Sequence, residues 1–335
     1  MDPSIAARFH EGILQAALPR YGITPDAIRL LDGFESFIYE FDRPDGAYIL
    51  RLGHSLRRSA DLIRGEVDWI NYLAAGGAAV ARAILSTGGR LVEPIDDGQG
   101  GQFLATAFQR APGGPPRRSQ WGEPLYRRYG RLLGRMHALA QAYVLPNPAW
   151  KRPAWDDPTQ LLGESQMPER EAVARDRYRR LVAYLAALPR DRAGYGMIHQ
   201  DAHSGNLFVD ADGTLTLFDF DDCVYGHFIY DLAMVLFYAA SMEKDPAAFT
   251  AGFMPPFLCG YREENRLDPA WLPELPHFLK LREIDLFAVI HHSFPDGDNP
   301  DHPWCAWFMR GRRERIAGDV AVIDFPWASL APYLR

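Results

Sequence analysis

Hydrophobic and polar residues alternate in the first hundred positions in the manner of β-strands that bury one face. Residues 47–52 alternate and place Ile49 and Arg51 on the same face. A second apolar run covers residues 101–108, and between the two runs residues 60–73 carry apolar side chains at helical spacing. The pattern therefore predicts an N-terminal antiparallel sheet with one main helix.

The pattern changes at residues 111–116, which read Ala-Pro-Gly-Gly-Pro-Pro and cannot continue a strand. Beyond this break, apolar residues recur at helical spacing through residues 125–139. The chain from Ala247 onward is again helical in pattern and rich in aromatic residues. These features predict an α+β fold with two lobes, residues 1–109 and the larger, mostly helical residues 110–335.

Composition and charge exclude several classes of protein. The 335 residues are 47% hydrophobic and 24% charged, as in globular domains, and the net charge of −7 argues against a nucleic-acid-binding surface. Three cysteines far apart fit reduced thiols better than disulfides or a zinc site. The longest apolar stretch, residues 232–240, is too short to cross a bilayer, and no signal peptide is recognised. We expect a cytoplasmic protein without nucleic-acid or membrane partners, of undetermined oligomeric state.

The candidate chemistry lies in two short motifs. His199, Asp201 and Asn206 have the spacing of a kinase catalytic loop, histidine-x-aspartate-x-x-x-x-asparagine. Asp219-Phe220 follows after one hairpin, where kinases carry the aspartate of their Asp-Phe-Gly motif. The joint spacing predicts a phosphate-transfer centre.

The chemistry of phosphoryl transfer explains why these residue types belong together. Mg²⁺ bound by oxygen ligands neutralises the phosphates, and a carboxylate aligns and deprotonates the acceptor hydroxyl. Residues 207–209 and 215–218 predict short strands around an Asp-Gly turn, and the hairpin would return Asp219 to the side of Asn206. We therefore expect Asp201 to be the catalytic base and Asn206 and Asp219 to bind Mg²⁺.

Two other interpretations of the same residues stay open. Each motif alone is typical of an ordinary hairpin or a solvated loop, so only the joint spacing carries the argument. His199, Asp201 and His203 also alternate along the chain, as ligands of Zn²⁺ or Fe in a metal-dependent hydrolase would. That hydrolase gives no role to Asn206 or Asp219.

With these motifs the chain resembles the aminoglycoside phosphotransferase superfamily of kinase-like bacterial enzymes. Residues 219–223 and 230–233 most resemble homoserine-kinase-II-like and stress-response-kinase-like members. The resemblance runs from about Asp32 to the helix near Tyr238 and thins beyond it. It implies a two-lobed protein-kinase-like fold, in which the N-terminal lobe binds the nucleotide and the C-terminal lobe carries catalysis and acceptor binding.

The resemblance also implies roles around the catalytic loop. His199 is expected to maintain the loop backbone, and Asp231 is expected to tie the loop down from the start of an apolar helix. Members usually have glycine where this chain has Gln200. That departure lies beside Asp201 and concerns the loop backbone rather than the charged groups.

An arginine takes the place of the lysine that kinases deliver to the nucleotide phosphates from a strand. This residue is Arg51, whose guanidinium can bind phosphate or carboxylate oxygens bidentately. Glu66 lies inside the apolar stripe of the predicted helix, and a carboxylate on a buried face needs a cation. We therefore pair Glu66 with Arg51, with Arg64 or another arginine as the alternative.

Two further nucleotide contacts are implied by the resemblance. The hairpin of residues 31–41 has one glycine instead of a glycine-rich loop. Its backbone amides and the polar side chain of Ser36 are expected to cover the phosphates. The backbone around Ala107 and Gln109 is expected to bind the adenine edge. The expected nucleotide is ATP, with GTP as the other possibility.

The sequence thus predicts a Mg²⁺-dependent O-phosphotransferase that acts on a hydroxyl of a small metabolite or an aminoglycoside-like compound. A Ser/Thr protein kinase of the stress-response type and a catalytically silent nucleotide-binding module are the alternatives. Asp201, Asn206 and Asp219 together speak against a silent module.

The acceptor itself is not determined by the sequence. Asp221, Glu283 and Asp285 would favour a cationic acceptor by electrostatics, whereas Arg282 has the opposite sign. His203 either shapes the acceptor pocket or faces solvent.

Overall fold

The computed structural model describes residues 2–31, 33, 35–294 and 303–335. Its strands are β1 (Ile28–Leu31), β2 (Phe37–Arg43), β3 (Gly46–His54), β4 (Ala83–Ile84), β5 (Glu93–Asp96), β6 (Gln102–Gln109), β7 (Tyr195–Ile198), β8 (Leu207–Val209), β9 (Leu215–Leu217) and β10 (Val224–His227). Its α-helices are α1 (Pro3–Ala6), α2 (Glu11–Ala17), α3 (Ala60–Ala75), α4 (Glu123–Ala142), α5 (Gly163–Gln166), α6 (Ala172–Ala186), α7 (Phe228–Ala240), α8 (Pro246–Arg262), α9 (Leu275–Ser293), α10 (Pro303–Met309) and α11 (Arg312–Ala317).

The chain divides into two compact units. The first contains Met1–Pro115, Ala142–Arg152 and Leu207–Asp221. The second contains Pro116–Gln141, Pro153–Asn206 and Asp222–Arg335. Each unit is assembled from several segments, and the division into lobes at residues 109 and 110 stays a prediction.

The first unit is built on an antiparallel sheet. Its strands have the order β1-β2-β3-β6-β4, and β5 also pairs with β6. The alternation predicted for residues 47–52 is present in β3, where Tyr48, Leu50 and Leu52 are buried against the N-terminal helices. Strands β1 and β2 form the predicted hairpin, although its residues Asp32 and Phe34 lie outside the described part of the chain.

Helix α3 packs its apolar stripe against the strands of the first unit. Ser59 caps the helix by accepting a hydrogen bond from the backbone N–H of Leu62. Ile63 and Val67 are buried against Leu104 of β6. Burying a side chain of this size contributes about 1.5–3 kcal/mol, which fixes the face that α3 turns to the sheet. Because Glu66 lies on that face, its carboxylate is carried into the interior.

The predicted hairpin before Asp219 is also present in the first unit. Strand β8 pairs with β9 in antiparallel register, with Leu207 opposite Leu217. Gly213 closes the turn at φ +77°, a left-handed conformation that costs glycine little. The hairpin thus has the bounds that the apolar pattern predicted to within one residue.

The second unit is mostly helical. Helix α7 is buried along nearly its whole length, as expected for a helix that is apolar on all sides. Helices α4 and α8 approach closely at Gly130 and Gly260, where an added Cβ would collide with a backbone carbonyl of the other helix. Strands β7 and β10 pair in antiparallel register. The loop of residues 199–206 begins directly after β7 ends at Ile198. No helix within the described ranges is long and apolar enough to cross a membrane.

Candidate active site

The loop of residues 199–206 is anchored by one buried carboxylate. Asp231, in the first turn of α7, accepts hydrogen bonds from the backbone N–H of His199 at 2.9 Å and of Gln200 at 2.7 Å. The hydroxyl of Tyr129 also donates to the carbonyl of Ala202. Asp231 is fully buried, so these bonds form away from competing water and hold the loop backbone in one conformation.

A buried histidine on α4, His137, supports this anchor. Nε2 of His137 lies 3.1 Å from Oδ2 of Asp231, and its Nδ1 lies 2.8 Å from the hydroxyl of Tyr261. All three side chains are buried. Helices α4 and α8 therefore orient the Asp231 carboxylate, which in turn orients the loop.

The backbone conformation of Gln200 is one that glycine adopts easily, which explains the glycine usual at this position. Its φ is +68°, in the left-handed region that side chains rarely adopt. Here the strained backbone is held by the bond from the Gln200 N–H to Asp231. The Asp231 carboxylate thus stabilises a left-handed backbone conformation at a residue that carries a side chain.

The carboxylate of Asp201 is held through both of its oxygens. Oδ1 accepts from Nη2 of Arg282 at 2.8 Å, while Oδ2 lies 3.1 Å from Nδ2 of Asn206 and 3.2 Å from Nε2 of His203. Burial raises the pKa of Asp201, but the hydrogen bond from His203 and the charge of Arg282 outweigh burial and lower that pKa to about 2. Asp201 is therefore ionised at neutral pH, as a proton acceptor must be.

Asn206 presents an oxygen in a defined direction. Its Nδ2 donates to the backbone carbonyl of Asp201 at 3.0 Å and to Oδ2 of Asp201 at 3.1 Å. The other end of the amide is the oxygen Oδ1, and hard cations such as Mg²⁺ prefer oxygen ligands. An amide oxygen at Asn206 and a carboxylate at Asp219 thus fit Mg²⁺ in chemical type.

Asp219 lies in the first unit, directly after Phe218 at the exit of β9. Its φ is +63°, and aspartate is among the few non-glycine residues that tolerate the left-handed region. The next residue, Phe220, is buried and packs edge-on against Trp69 of α3 with 5.4 Å between ring centroids. The buried ring fixes the backbone that carries Asp219. Its predicted convergence with Asn206 stays a prediction.

The predicted ion pair between Arg51 and Glu66 is confirmed. Nη1 and Nη2 of Arg51 donate to the two carboxylate oxygens of Glu66, each at 2.8 Å, and Nε lies 3.3 Å from Oγ1 of Thr106. Burial lowers the pKa of Arg51, but the charges of Glu66 and Asp221 outweigh it and raise that pKa. The alternative partner, Arg64, pairs with Asp61 instead.

Asp221 belongs to the same cluster. It accepts a hydrogen bond from Arg57, and Nη1 of Arg51 and Nε of Arg58 lie 3.8 and 3.9 Å from its carboxylate oxygens. Burial raises the pKa of Asp221, but these three arginines outweigh it and lower that pKa. The charge of Asp221 is thus compensated within the first unit, which the sequence did not predict.

The other residues predicted to contact the nucleotide lie on the sheet of the first unit. Ser36 precedes β2, and a Cβ added at Gly53 of β3 would lie 3.5 Å from its hydroxyl. Ala107 pairs with strands on both sides of β6. The N–H of Gln109 donates to the carbonyl of Arg82 at 2.8 Å. Since that N–H is used inside the fold, an adenine contact near Gln109 would depend on other backbone groups.

The residues of the alternative hydrolase site have other partners. Nδ1 of the buried His199 accepts from the backbone N–H of Asp201 at 3.3 Å. His203 donates through Nε2 toward Asp201 and accepts the N–H of Gly205 on Nδ1 at 2.9 Å. In the described ranges, no cluster of metal-ligand atoms includes these residues. The arrangement supports loop geometry rather than a zinc or iron site.

Two side chains near Asp201 were not assigned a role from the sequence. Arg282 on α9 and Tyr238 on α7 contact each other as well as the loop. The sequence signal for Arg282 was a run of four residues, 282–285, that contains three charges. Glu283 of that run is buried and forms ion pairs with Lys280 at 2.5 Å and with Arg312 at 2.6 Å, so its charge is compensated.

Comparisons with known proteins agree with this geometry. The model of a family described as the phosphotransferase enzyme family matches residues 26–266. The amicoumacin kinase of Bacillus subtilis (strain 168) is 40% identical over 291 residues, which cover 85% of this chain and 86% of that relative. A homoserine kinase of Methylobacterium radiotolerans is 26% identical over 256 residues, or 74% of each chain.

Solved structures show the same relationship. The amicoumacin kinase hAmiN, in complex with AMP-PNP, Ca²⁺ and Ami, superposes with a TM-score of 0.92 at 33% identity, covering 98% of this chain and 100% of that one. A microcompartment-associated aminopropanol kinase superposes with a TM-score of 0.72 at 22% identity, covering 92% and 98%, which shows likeness of fold. The expected kinase-like α+β fold and phosphotransfer to a small-molecule hydroxyl are confirmed. The chain therefore belongs to the phosphotransferase enzyme family.

Proposed function

We propose that this protein is an ATP- and Mg²⁺-dependent kinase that transfers the γ-phosphoryl group to a hydroxyl of a small molecule, with amicoumacin as the first candidate. The catalytic loop carries this proposal, because Asp231 holds its backbone while Asp201 and Asn206 bond to each other. The acceptor candidate rests on the names of relatives that match most of the chain. In this proposal residues 1–109 bind the nucleotide and residues 110–335 carry catalysis and acceptor binding.

Asp201 acts on the acceptor hydroxyl. Its carboxylate accepts the hydroxyl hydrogen bond and aligns the oxygen with the γ-phosphorus. The new O–P bond forms as the bond from the γ-phosphorus to the β,γ-bridging oxygen breaks, and the hydroxyl proton passes to Asp201. ADP and the phosphate ester are the products. The low pKa of Asp201 suits a group that contributes orientation more than basicity, because proton transfer comes late in a loose transition state.

Asn206 and Asp219 would hold the metal ion. When bound, Mg²⁺ supplies positive charge to the phosphate oxygens. The orientation of the Asn206 amide supports this assignment, since its N–H groups are used by Asp201. The Ca²⁺ in the complex of the solved relative is likewise an ion that prefers oxygen ligands.

Arg51 would bind the nucleotide phosphates, with Glu66 aiming its guanidinium and Ser36 covering the phosphates from the neighbouring hairpin. The bidentate pair supports this role because it fixes the plane of the guanidinium. The backbone around Ala107 and Gln109 would receive the base. We place the enzyme in the cytoplasm, where ATP is available and cysteine thiols stay reduced.

Charges around Asp201 support an acceptor that carries an amine. Within the second unit, Asp222 and Asp285 act electrostatically on Tyr238 and Tyr230, which lie beside the loop. Carboxylates of this kind would attract an ammonium group, whereas the guanidinium of Arg282 has the opposite sign.

The test offers ATP or GTP with Mg²⁺ and a panel of acceptors to the purified protein. The panel contains amicoumacin, homoserine, 1-amino-2-propanol and a serine-rich protein, and ADP or GDP release is measured together with product mass. We expect ATP-dependent phosphorylation of amicoumacin, and Asp201→Asn should lower its rate by about 10²–10⁴-fold. Asp176→Asn, at an exposed carboxylate on α6, is the matched control and should retain the rate. Phosphorylation of the serine-rich protein and of no small molecule would overturn the proposal, as would the absence of any phosphorylated acceptor.

A further inference from the structure

We propose that Arg282 is a positioning residue for the phosphotransfer reaction, one that orients the carboxylate of Asp201 toward the acceptor hydroxyl. The inference rests on the proposed role of Asp201 as the base. Arg282 comes from α9, 81 residues along the chain from the loop it contacts. It therefore ties the loop to a helix that takes no part in the kinase sequence motifs.

The geometry around Arg282 leaves its guanidinium little freedom. Nη2 donates to Oδ1 of Asp201 at 2.8 Å and also to the hydroxyl of Tyr238, and Nε lies 3.1 Å from that hydroxyl. The guanidinium carbon is 5.3 Å from the centroid of the Tyr238 ring. The ring of His203 packs against the ring of Tyr238, with 4.6 Å between their centroids. The cation is thus fixed before any substrate arrives.

Contacts to both carboxylate oxygens restrict the rotation of the Asp201 side chain. Asn206 and His203 contact Oδ2, and a carboxylate held through one oxygen can still rotate about its last torsion. The contact from Arg282 to Oδ1 removes that rotation. Because orientation of reacting groups is worth several orders of magnitude in rate, a fixed carboxylate plane has direct kinetic value.

The ion pair is also open enough to meet a substrate. The side chains of Arg282 and Asp201 are 20% and 21% exposed. Oδ1 of Asp201 can accept a second hydrogen bond beside the one from Arg282, so the acceptor hydroxyl does not need to displace Arg282. The guanidinium then stays in place during the reaction and acts through Asp201 rather than on the phosphate.

The test compares Arg282→Ala and Arg282→Lys with the wild type, using ATP, Mg²⁺ and amicoumacin. Arg282→Ala should lower kcat by about 10–100-fold while the KM values for ATP and amicoumacin change by less than about threefold. Arg282→Lys should recover part of kcat because the charge returns without the fork. Arg177→Ala, which removes a 2.9 Å pair with Asp319 in the same unit, is the matched control and should leave kcat unchanged. A higher KM for amicoumacin with unchanged kcat would overturn the inference, because Arg282 would then be an acceptor-binding residue.

A double variant separates positioning from general damage. In the Asp201→Asn background, Arg282→Ala should lower the remaining rate by less than about twofold, because the group that it orients is already gone. An equal loss in both backgrounds would show a merely structural role. If Asp201→Asn itself keeps the wild-type rate, the proposed function fails instead.

Crystal structures of the wild type and Arg282→Ala supply a readout independent of activity. The carboxylate of Asp201 should adopt a different or mixed orientation in the variant. An unchanged carboxylate would overturn the inference even if amicoumacin were not a substrate.

Discussion

Two arginine–carboxylate clusters in this protein differ in how far they are closed to solvent. In the first unit, Arg51 grips Glu66 through two 2.8 Å bonds, and the side chains are 8% and 0% exposed. In the second unit, Arg282 reaches one oxygen of Asp201, and both side chains remain about one-fifth exposed. A closed pair orients a helix and a strand, whereas a half-open pair leaves a carboxylate accessible to a ligand.

The difference follows from where the sequence puts each charge. Glu66 lies on the buried face of α3 and Arg51 on β3 in the interior of the sheet, so water reaches little of either side chain. Asp201 lies in a loop. Asp231 on α7 holds the loop backbone and Arg282 on α9 contacts one carboxylate oxygen, so the side chain of Asp201 stays partly exposed. Burying an ion pair completely is costly unless every bond is satisfied, which explains the added contact from Arg51 to Thr106.

The largest expected effect in the first unit comes from Asp219, whose charge acts on Arg51 of the closed cluster. Asp219→Asn keeps a side chain that tolerates φ +63° and removes the charge proposed to bind Mg²⁺. We expect kcat to fall by about 10³-fold and the Mg²⁺ requirement to rise. Steady-state rates over a Mg²⁺ titration measure both. Wild-type rates, in a variant that melts like the wild type, would refute the metal role.

Breaking the closed pair should cost stability as well as activity. Glu66→Gln leaves the buried guanidinium of Arg51 with only the more distant Asp221, at 3.8 Å, as a charged ion-pair partner, and the free energy of unfolding should fall by about 3 kcal/mol. Arg282→Ala, at the half-open pair, should cost about 1 kcal/mol or less. Urea unfolding of both variants measures the contrast. Equal losses would show that the two clusters do not differ in the way their exposure indicates.

A milder change tests the geometry of the closed pair. Arg51→Lys keeps the charge but loses the fork, so the KM for ATP should rise by about tenfold and kcat should fall less than in Arg51→Ala. Combining Arg51→Ala with Glu66→Ala should cost clearly less than the sum of the single losses. Strict additivity in initial-rate measurements would separate Glu66 from nucleotide binding.

Sequence patterns predicted the parts of the site that depend on local order. The alternation around Arg51, the apolar stripe around Glu66 and the loop spacing from His199 to Asn206 each follow from residues close together in the chain, and each element appears in the structure. The ion pair between Arg51 and Glu66 could be predicted as well, because a carboxylate on an apolar helix face needs a cation.

The missing parts depend on packing between distant segments. Arg282 reaches Asp201 from 81 residues away, and His137 reaches Asp231 from 94 residues away. A histidine or arginine inside an apolar helix signals only that some partner exists. Which partner it meets is decided by how α4, α7, α8 and α9 pack, and spacing along the chain does not contain that information.

The smallest effect concerns Asp285, one turn after Arg282 on α9. Burial raises its pKa from 3.8 to about 6, although Arg282 and a hydrogen bond from Tyr178 on α6 act in the opposite direction, and Tyr230 on α7 is the other titratable neighbour. A carboxyl with a raised pKa stabilises the fold when protonated. That contribution is lost as pH rises from about 4 through 6.

Asp285→Asn should therefore remove a decline in stability of the order of 1–2 kcal/mol over this pH range. Thermal unfolding of both proteins between pH 4 and pH 7 measures it. Parallel stability curves would show that Asp285 titrates near its ordinary pKa.

The most direct test of the account is the Asp201→Asn variant studied in single turnover. We predict that it binds Mg²⁺ and ATP as the wild type does, keeps its fold, and transfers phosphate to the acceptor about 10²–10⁴-fold more slowly. ATP binding is measured by calorimetry and transfer by rapid quench. A wild-type rate of transfer would contradict the claim that the loop of residues 199–206 carries the chemistry, and lost ATP binding with an intact fold would mean that Asp201 serves the metal and nucleotide instead.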